Sequence, residues 1–273
     1  MNQPFQHLNT GMEMRDLLSD PDFPNRQARK HDASDQVDAF RRLAQVFAES
    51  PDLILQELVE VAVKFCGAES AGISLLEEVD GKGTLHFRWI AVAGSFSQFV
   101  NGTAPRFFSP CGITLNASRP QLYRVTQPYY DFLGIQADAI NDGILIPWQT
   151  GAFRGTIWAV SHGSRDTFDL GDFRLLSSLA DFAAVAVRHQ AQQQAIREQQ
   201  EAEALKAAIN RLAHEINNPL QSLTNFLHLA SRHDENGEYL DQATEQLERI
   251  SALVADLLSV KTVAGTPRGL AKK

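Results

Sequence analysis

The sequence predicts an α+β domain that runs into a long helix and then an all-α helical hairpin, paired with a second copy as a dimeric four-helix bundle. Three observations predict it. Across residues 34–189 the hydrophobic period switches between the helical and the extended spacing. Residues 190–204 are almost entirely Gln, Glu, Ala and Arg, all good helix formers. The C-terminal third then repeats apolar residues three and four apart, the mark of an a/d seam.

Each element follows from its local pattern. Residues 1–33 place Pro4, Pro21 and Pro24 among mixed charges without a sustained period, and read as a disordered N-terminal arm. Residues 34–189 form the α+β domain. Val37, Phe40, Leu43, Ala44 and Phe47 recur at helical spacing, and Ser50-Pro51 opens a second helix. Leu53, Leu55, Leu58, Val59, Ala62 and Val63 make its expected buried face. Ala71 to Leu76 is a short strand, and Asp80-Gly81-Lys82-Gly83 is a turn. Leu85 to Val92 alternates as a second strand, with later strands expected around 143–147 and 153–160. Between Gly94 and Tyr130 the chain reads as irregular, with one short strand at Leu122 to Val125; long irregular stretches often face a ligand. Leu170 to His189 is amphipathic, with Phe173, Leu176, Leu179, Phe182, Ala183 and Ala186 on one side.

Residues 190–206 read as a helical signalling linker, so one helix is expected from Asp172 to Ser231, about 90 Å long. So long a helix, so polar in its middle, is not stable alone. Residues 207–260 supply its hairpin. Ile209, Leu212, Ile216, Pro219 or Leu220, Leu223, Leu227 and Ala230 form the first series. A break at His233-Asp234-Glu235-Asn236-Gly237 precedes the second: Leu240, Ala243, Leu247, Ile250, Val254 and Leu257. One hairpin leaves its stripe half exposed and two make a bundle, which predicts a homodimer. Residues 261–273 read as a flexible basic tail carrying Lys261, Arg268, Lys272 and Lys273.

Composition bounds the function. The 273 residues are 44% hydrophobic, enough for one or two cores. A net charge of -8 argues against nucleic acid. No apolar run is long enough for a bilayer, and residues 1–30 hold no signal-peptide core. Two cysteines, Cys66 and Cys111, make no disulfide framework. Together these describe a reduced, cytoplasmic protein with no membrane partner. His86, His162, His189, His228 and His233 show no metal-ligand spacing. Trp89, Trp148, Trp158, Phe107, Phe108, Tyr129 and Tyr130 are the aromatics available to line a pocket, though tryptophans in such strands more often belong to sheet core. Cys66 ends an apolar helix and is expected to be buried.

The sharpest chemical signal is Arg211-Leu212-Ala213-His214-Glu215-Ile216-Asn217-Asn218-Pro219-Leu220. With Ile209 and Ile216 at a and Leu212 at d, His214 falls at f, furthest from the seam. Neutral imidazole attacks through one nitrogen while the other holds the proton. Adjacent Glu215 suits that proton and raises the basicity of the attacking nitrogen. Asn218 lies one turn on, on the same face, where its amide can position a water or an incoming polar group. Pro219 costs about 3 kcal/mol in a helix interior and releases the Glu215 carbonyl, a natural hinge.

This segment resembles the phosphoacceptor box of two-component histidine kinases. The resemblance implies His214 as phosphoacceptor, Glu215 as base and Asn218 as the residue supporting dephosphorylation of a partner response regulator. The order of elements before it resembles a GAF sensor domain over about 150 residues. Within that likeness Ser109-Pro110-Cys111-Gly112-Ile113 is similar to a segment of GAF domains that precede histidine kinase modules. The sensor's ligand is unknown; Cys111 is the candidate contact. Its sequence departs from the covalent bilin pattern, because Gly112 rather than His follows it.

No ATP-binding domain is visible after Val260, and the one Gly-x-Gly, Gly81-Lys82-Gly83, sits in a turn. The expectation is a chain that binds no cofactor itself and meets ATP and Mg²⁺ only through a partner catalytic domain, either a kinase in trans or a part of the protein beyond this sequence. Two competing functions are a non-catalytic ligand-binding adaptor that docks on a kinase or regulator, and a response-regulator phosphatase.

Overall fold

A computed structural model describes residues 11–29, 33–78, 83–233 and 238–263. The chain divides into two compact units, 1–194 and 195–273. The first is the α+β unit the sequence predicts. Its strands are β1 (Met12–Asp16), β2 (Ser70–Glu78), β3 (Leu85–Gly94), β4 (Thr103–Pro105), β5 (Gln121–Val125), β6 (Ile140–Thr150) and β7 (Phe153–Ser161). They form one sheet in the order β1-β5-β6-β7-β2-β3-β4, every pairing antiparallel.

The helices are α1 (Ala33–Glu49), α2 (Ile54–Cys66), α3 (Pro110–Ala117), α4 (Gln127–Leu133), α5 (Leu170–His233) and α6 (Glu238–Val263). Alternation along the strands sends side chains to two separate cores. On one face Ile73, Ile144 and Ile157 meet Leu43 of α1, Leu58 of α2, and Leu176 and Leu179 of α5, all fully buried. On the other face Leu145, Trp158 and Val160 meet Cys111 of α3 and Tyr129 and Tyr130 of α4.

A bulge sets which face β3 serves. Ile73 pairs with Ala91 but Ser74 pairs with Trp89, so Ile90 has no opposite number. Above the bulge Ala91 and Ala93 join the helix-side core, and Ile90 packs there too. Below it the phase is reversed, so Phe87 and Trp89 join the second core.

Several expectations need correction. The arm over residues 1–33 is ordered where it is described. Met12–Asp16 pairs with β5, and Leu17 and Phe23 are buried. Arg26 donates from Nη1 to Asp142 Oδ2 and to the Phe168 carbonyl, both at 2.9 Å. Arg29 donates its backbone N–H to Asp169 Oδ2 at 2.6 Å and its Nη2 to the Thr167 carbonyl at 2.6 Å. Short apolar stretches between prolines found partners far along the chain, which local periodicity does not report. Residues 1–10 and 30–32 lie outside the described residues.

The irregular stretch from Gly94 to Tyr130 also contains α3, with the Ser109 side chain accepting the Gly112 N–H at 3.1 Å and Pro110 in the first turn. Leu53, expected inside, is exposed, as is Val37 on α1; Pro51–Leu53 is a separate 3-10 turn, so the buried face of α2 starts at Ile54. The basic tail begins later than 261, because α6 runs to Val263. The turn at 80–82, the break at 234–237 and residues 264–273 lie outside the described residues.

α5 starts on a reciprocal cap: Asp169 Oδ1 accepts the Gly171 and Asp172 N–H groups at 2.6 and 3.0 Å, and Asp172 Oδ2 accepts the Asp169 N–H at 3.0 Å. It continues unbroken through the Gln-rich stretch and through Pro219, as the single long helix the composition predicts.

Candidate functional site

The second unit carries the Arg211–Leu220 segment singled out in the sequence. Its α5 residues sort cleanly by spacing. Leu212, Ile216, Leu223, Phe226 and Ala230 are half-buried and Pro219 is buried, a strict four/three alternation. On α6, Ala243 is buried and Tyr239, Gln242, Gln246, Ile250 and Leu253 are half-buried. Because residues 195–273 form one compact unit, these two stripes are the inner faces of the hairpin.

A second apolar stripe stays in solvent. Leu205, Ile209, Leu220 and Leu227 on α5 and Leu240, Leu247 and Val254 on α6 are each 41–63% exposed. On α6 the spacing is seven and seven, the repeat of a bundle seam.

His214, Glu215 and Asn218 are all exposed, and Pro219 beneath them is buried. His214 and Asn218 share one face by the i, i+4 geometry, and the f position predicted for His214 matches its exposure. Beyond Pro219 the helix bonds back on itself through side chains: Ser222 Oγ donates to the Asn218 carbonyl at 3.2 Å and Thr224 Oγ1 to the Leu220 carbonyl at 2.9 Å. An exposed imidazole, a neighbouring carboxylate and an amide one turn away can accept a phosphoryl group from a docked donor. They could not do so from inside a seam.

Cys111 belongs to the first unit, where it lines a cavity of about 70 Å³ between the sheet and α3 and α4. Of the aromatics singled out in the sequence, Trp89, Trp158, Tyr129 and Tyr130 line this cavity, Trp148 lies in the helix-side core and Phe107 is in solvent. Trp158 Nε1 donates to Ser74 Oγ at 3.1 Å, and the Cys111 thiol sits 3.7 Å from the same oxygen. Tyr129 donates to the Phe108 carbonyl at 3.1 Å. Burial pushes the Cys111 thiol and the Tyr123, Tyr129 and Tyr130 phenols up, so all favour the neutral form. Cys66 is buried in the other core, and burial raises its thiol as well. Sequence reasoning missed Phe96, Phe99 and Tyr123, which also line the cavity. Gly143 on β6 lies beside Tyr123 and leaves no room for a Cβ, which would fall 2.4 Å from the ring, a contact no local pattern reports.

Comparison with known proteins bears on each unit separately. Residues 204–263 match the His Kinase A (phospho-acceptor) domain. No curated protein matches the chain. Among solved structures, the chain is similar to the GAF domain of an Acinetobacter phosphoenolpyruvate-protein phosphotransferase at 16% identity and a TM-score of 0.46, over 58% of this chain and 95% of that one. The GAF domain of a Coxiella burnetii phosphoenolpyruvate-protein phosphotransferase is 15% identical with a TM-score of 0.47, over 60% and 99%. A phycoerythrobilin-bound GAF domain of a cyanobacterial phytochrome is 14% identical with a TM-score of 0.43, over 60% and 100%. Among the described residues no helix is long and apolar enough to cross a membrane.

Proposed function

We propose that the protein is a two-component signal transduction protein of the sensor histidine kinase type. Its first unit acts as a GAF-type ligand sensor, and its hairpin dimerises and carries phosphate on His214. The observation that supports this most is the phosphoacceptor match over residues 204–263, with His214 exposed one turn from Asn218. In this reading Glu215 holds the imidazole proton while the free nitrogen attacks phosphorus. Asn218 orients the water or aspartyl phosphate at the same face. The phosphoryl group reaches His214 from an ATP-binding catalytic domain acting in trans and leaves to an aspartate on a response regulator receiver domain, in the cytoplasm.

The exposed stripe from Leu205 to Val254 is the surface a second copy covers, giving the four-helix bundle. Cys111 contributes to the sensor cavity without a covalent chromophore. Ligand binding would bias the bundle between two packings, the form any coupling of this kind needs.

The test starts from purified protein and a receiver domain carrying labelled aspartyl phosphate. Label should move to the protein, and His214→Gln should abolish transfer while leaving the dimer mass unchanged. Faster loss from the receiver with no label on His214 would make the protein a phosphatase. Neither result across a panel of receivers would leave a non-catalytic adaptor.

A further inference from the structure

The cavity in the first unit is selective enough to name the chemistry of its ligand, an inference that rests on reading that unit as the sensing half. None of its lining side chains is Asp, Glu, Lys, Arg or His. A charged ligand would enter without an ionic partner, an anion with no counter-charge and a cation with ring faces alone, and an unpaired charge in an apolar site is strongly disfavoured. Seven lining side chains are aromatic, among them Trp89, Phe96, Phe99 and Trp158. Aromatic walls favour an aromatic guest, through edge and face contacts.

Size narrows the class further. At about 70 Å³ the cavity is roughly half the ~150 Å³ apolar hole that admits benzene. A single ring therefore fits once one wall gives a little. Phe96 and Phe99 are only half-buried, one capping and the other ending a short 3-10 turn, so they are the wall able to move. A nucleotide or a linear tetrapyrrole is several rings too large.

Polarity supplies the last constraint. The Trp158 N–H and the Tyr129 hydroxyl already have partners within the protein. The Tyr130 hydroxyl is buried, belongs to a cavity-lining residue and finds no hydrogen-bond partner. Buried polar groups left unpaired are costly, so this hydroxyl marks where a ligand's polar group belongs. We infer that the cavity takes an uncharged, single-ring aromatic molecule bearing one hydrogen-bonding substituent, which meets the Tyr130 hydroxyl.

Binding is measured on the full chain by ¹⁹F NMR with 4-fluorophenol and fluorobenzene, and by competition with phenol, benzoate, choline and cyclic AMP. 4-Fluorophenol should bind more tightly than fluorobenzene, and only phenol should displace it. Tyr130→Phe should weaken 4-fluorophenol about fivefold, the worth of one hydrogen bond, and leave fluorobenzene unchanged. Ala137→Trp fills the cavity from a residue outside regular structure and should cost more than tenfold for both, with an unchanged circular dichroism spectrum showing that the fold survives. Binding of benzoate, choline or cyclic AMP as tight as that of phenol would overturn the assignment, as would no binding of either fluorinated probe. Neither result touches phosphotransfer to His214, so failure here and failure of the proposed function are separate outcomes.

Discussion

Glu69 shows how one exposed carboxylate organises a loop. Its Oε2 accepts the backbone N–H groups of His162 and Gly163, the latter at 2.9 Å, and the Ser161 hydroxyl at 3.1 Å. The Gly163 and His162 N–H bonds hold its pKa below the ordinary glutamate value, against a smaller opposing effect of burial. The folded state thus binds the proton less readily than the unfolded chain. The stabilisation is complete above the usual glutamate range near 4.3 and is lost as pH falls through the lower, folded value. Urea denaturation between pH 3 and 7 should show it, and Glu69→Gln should flatten that part of the profile. The proposed phosphotransfer residues stand out at this scale because His214, Glu215 and Asn218 fall within five positions on one helix. The cavity was legible only in part: Trp89, Trp158, Tyr129, Tyr130 and Cys111 stood out as candidates, but its walls come from Trp89 through Trp158, and a one-residue bulge decides whether Trp89 faces it.

At the scale of elements, close packing replaces periodicity as the controlling rule. Gly72 on β2 lies under the indole of Trp158, and a Cβ there would fall 2.2 Å from Cζ2. Gly72→Ala should push the ring away and strain its hydrogen bond to Ser74, costing about 1–3 kcal/mol as overpacking does. Denaturation followed by tryptophan fluorescence measures both the loss and the altered ring environment. Long periodic elements were readable: α1, α2, β3, β7 and the whole of α5 lie where spacing put them. Two short ones were not. β1 is five residues of alternating exposure on an edge, and its partner β5 lies more than a hundred residues away. α3 hides among Pro, Gly and Asn, with only its Ser109-Pro110 start as a local sign. In both cases tertiary contact supplies what propensity lacks.

At the scale of the whole molecule, an apolar stripe of Leu, Ile and Val is left in water. Full burial of each such side chain contributes about 1.5–3 kcal/mol, and symmetry counts every residue twice. If the stripe is the proposed dimer seam, Leu247→Glu should weaken self-association by at least tenfold, read as a shift toward monomer mass in sedimentation equilibrium. The melting transition of the first unit should be unmoved. The grip of Arg26 on the Phe168 carbonyl has a consequence of another kind. The two residues are 142 positions apart, and β1 likewise waits for β5. At a synthesis rate of about 5–20 residues per second, roughly 7–30 s separate the emergence of the two ends of that contact. Through that interval Leu17 and Phe23, which finish buried, lack the part of their core that Leu122 and Phe168 complete. Residues 12–26 therefore reach their final contacts only after the residues around Phe168 have been made.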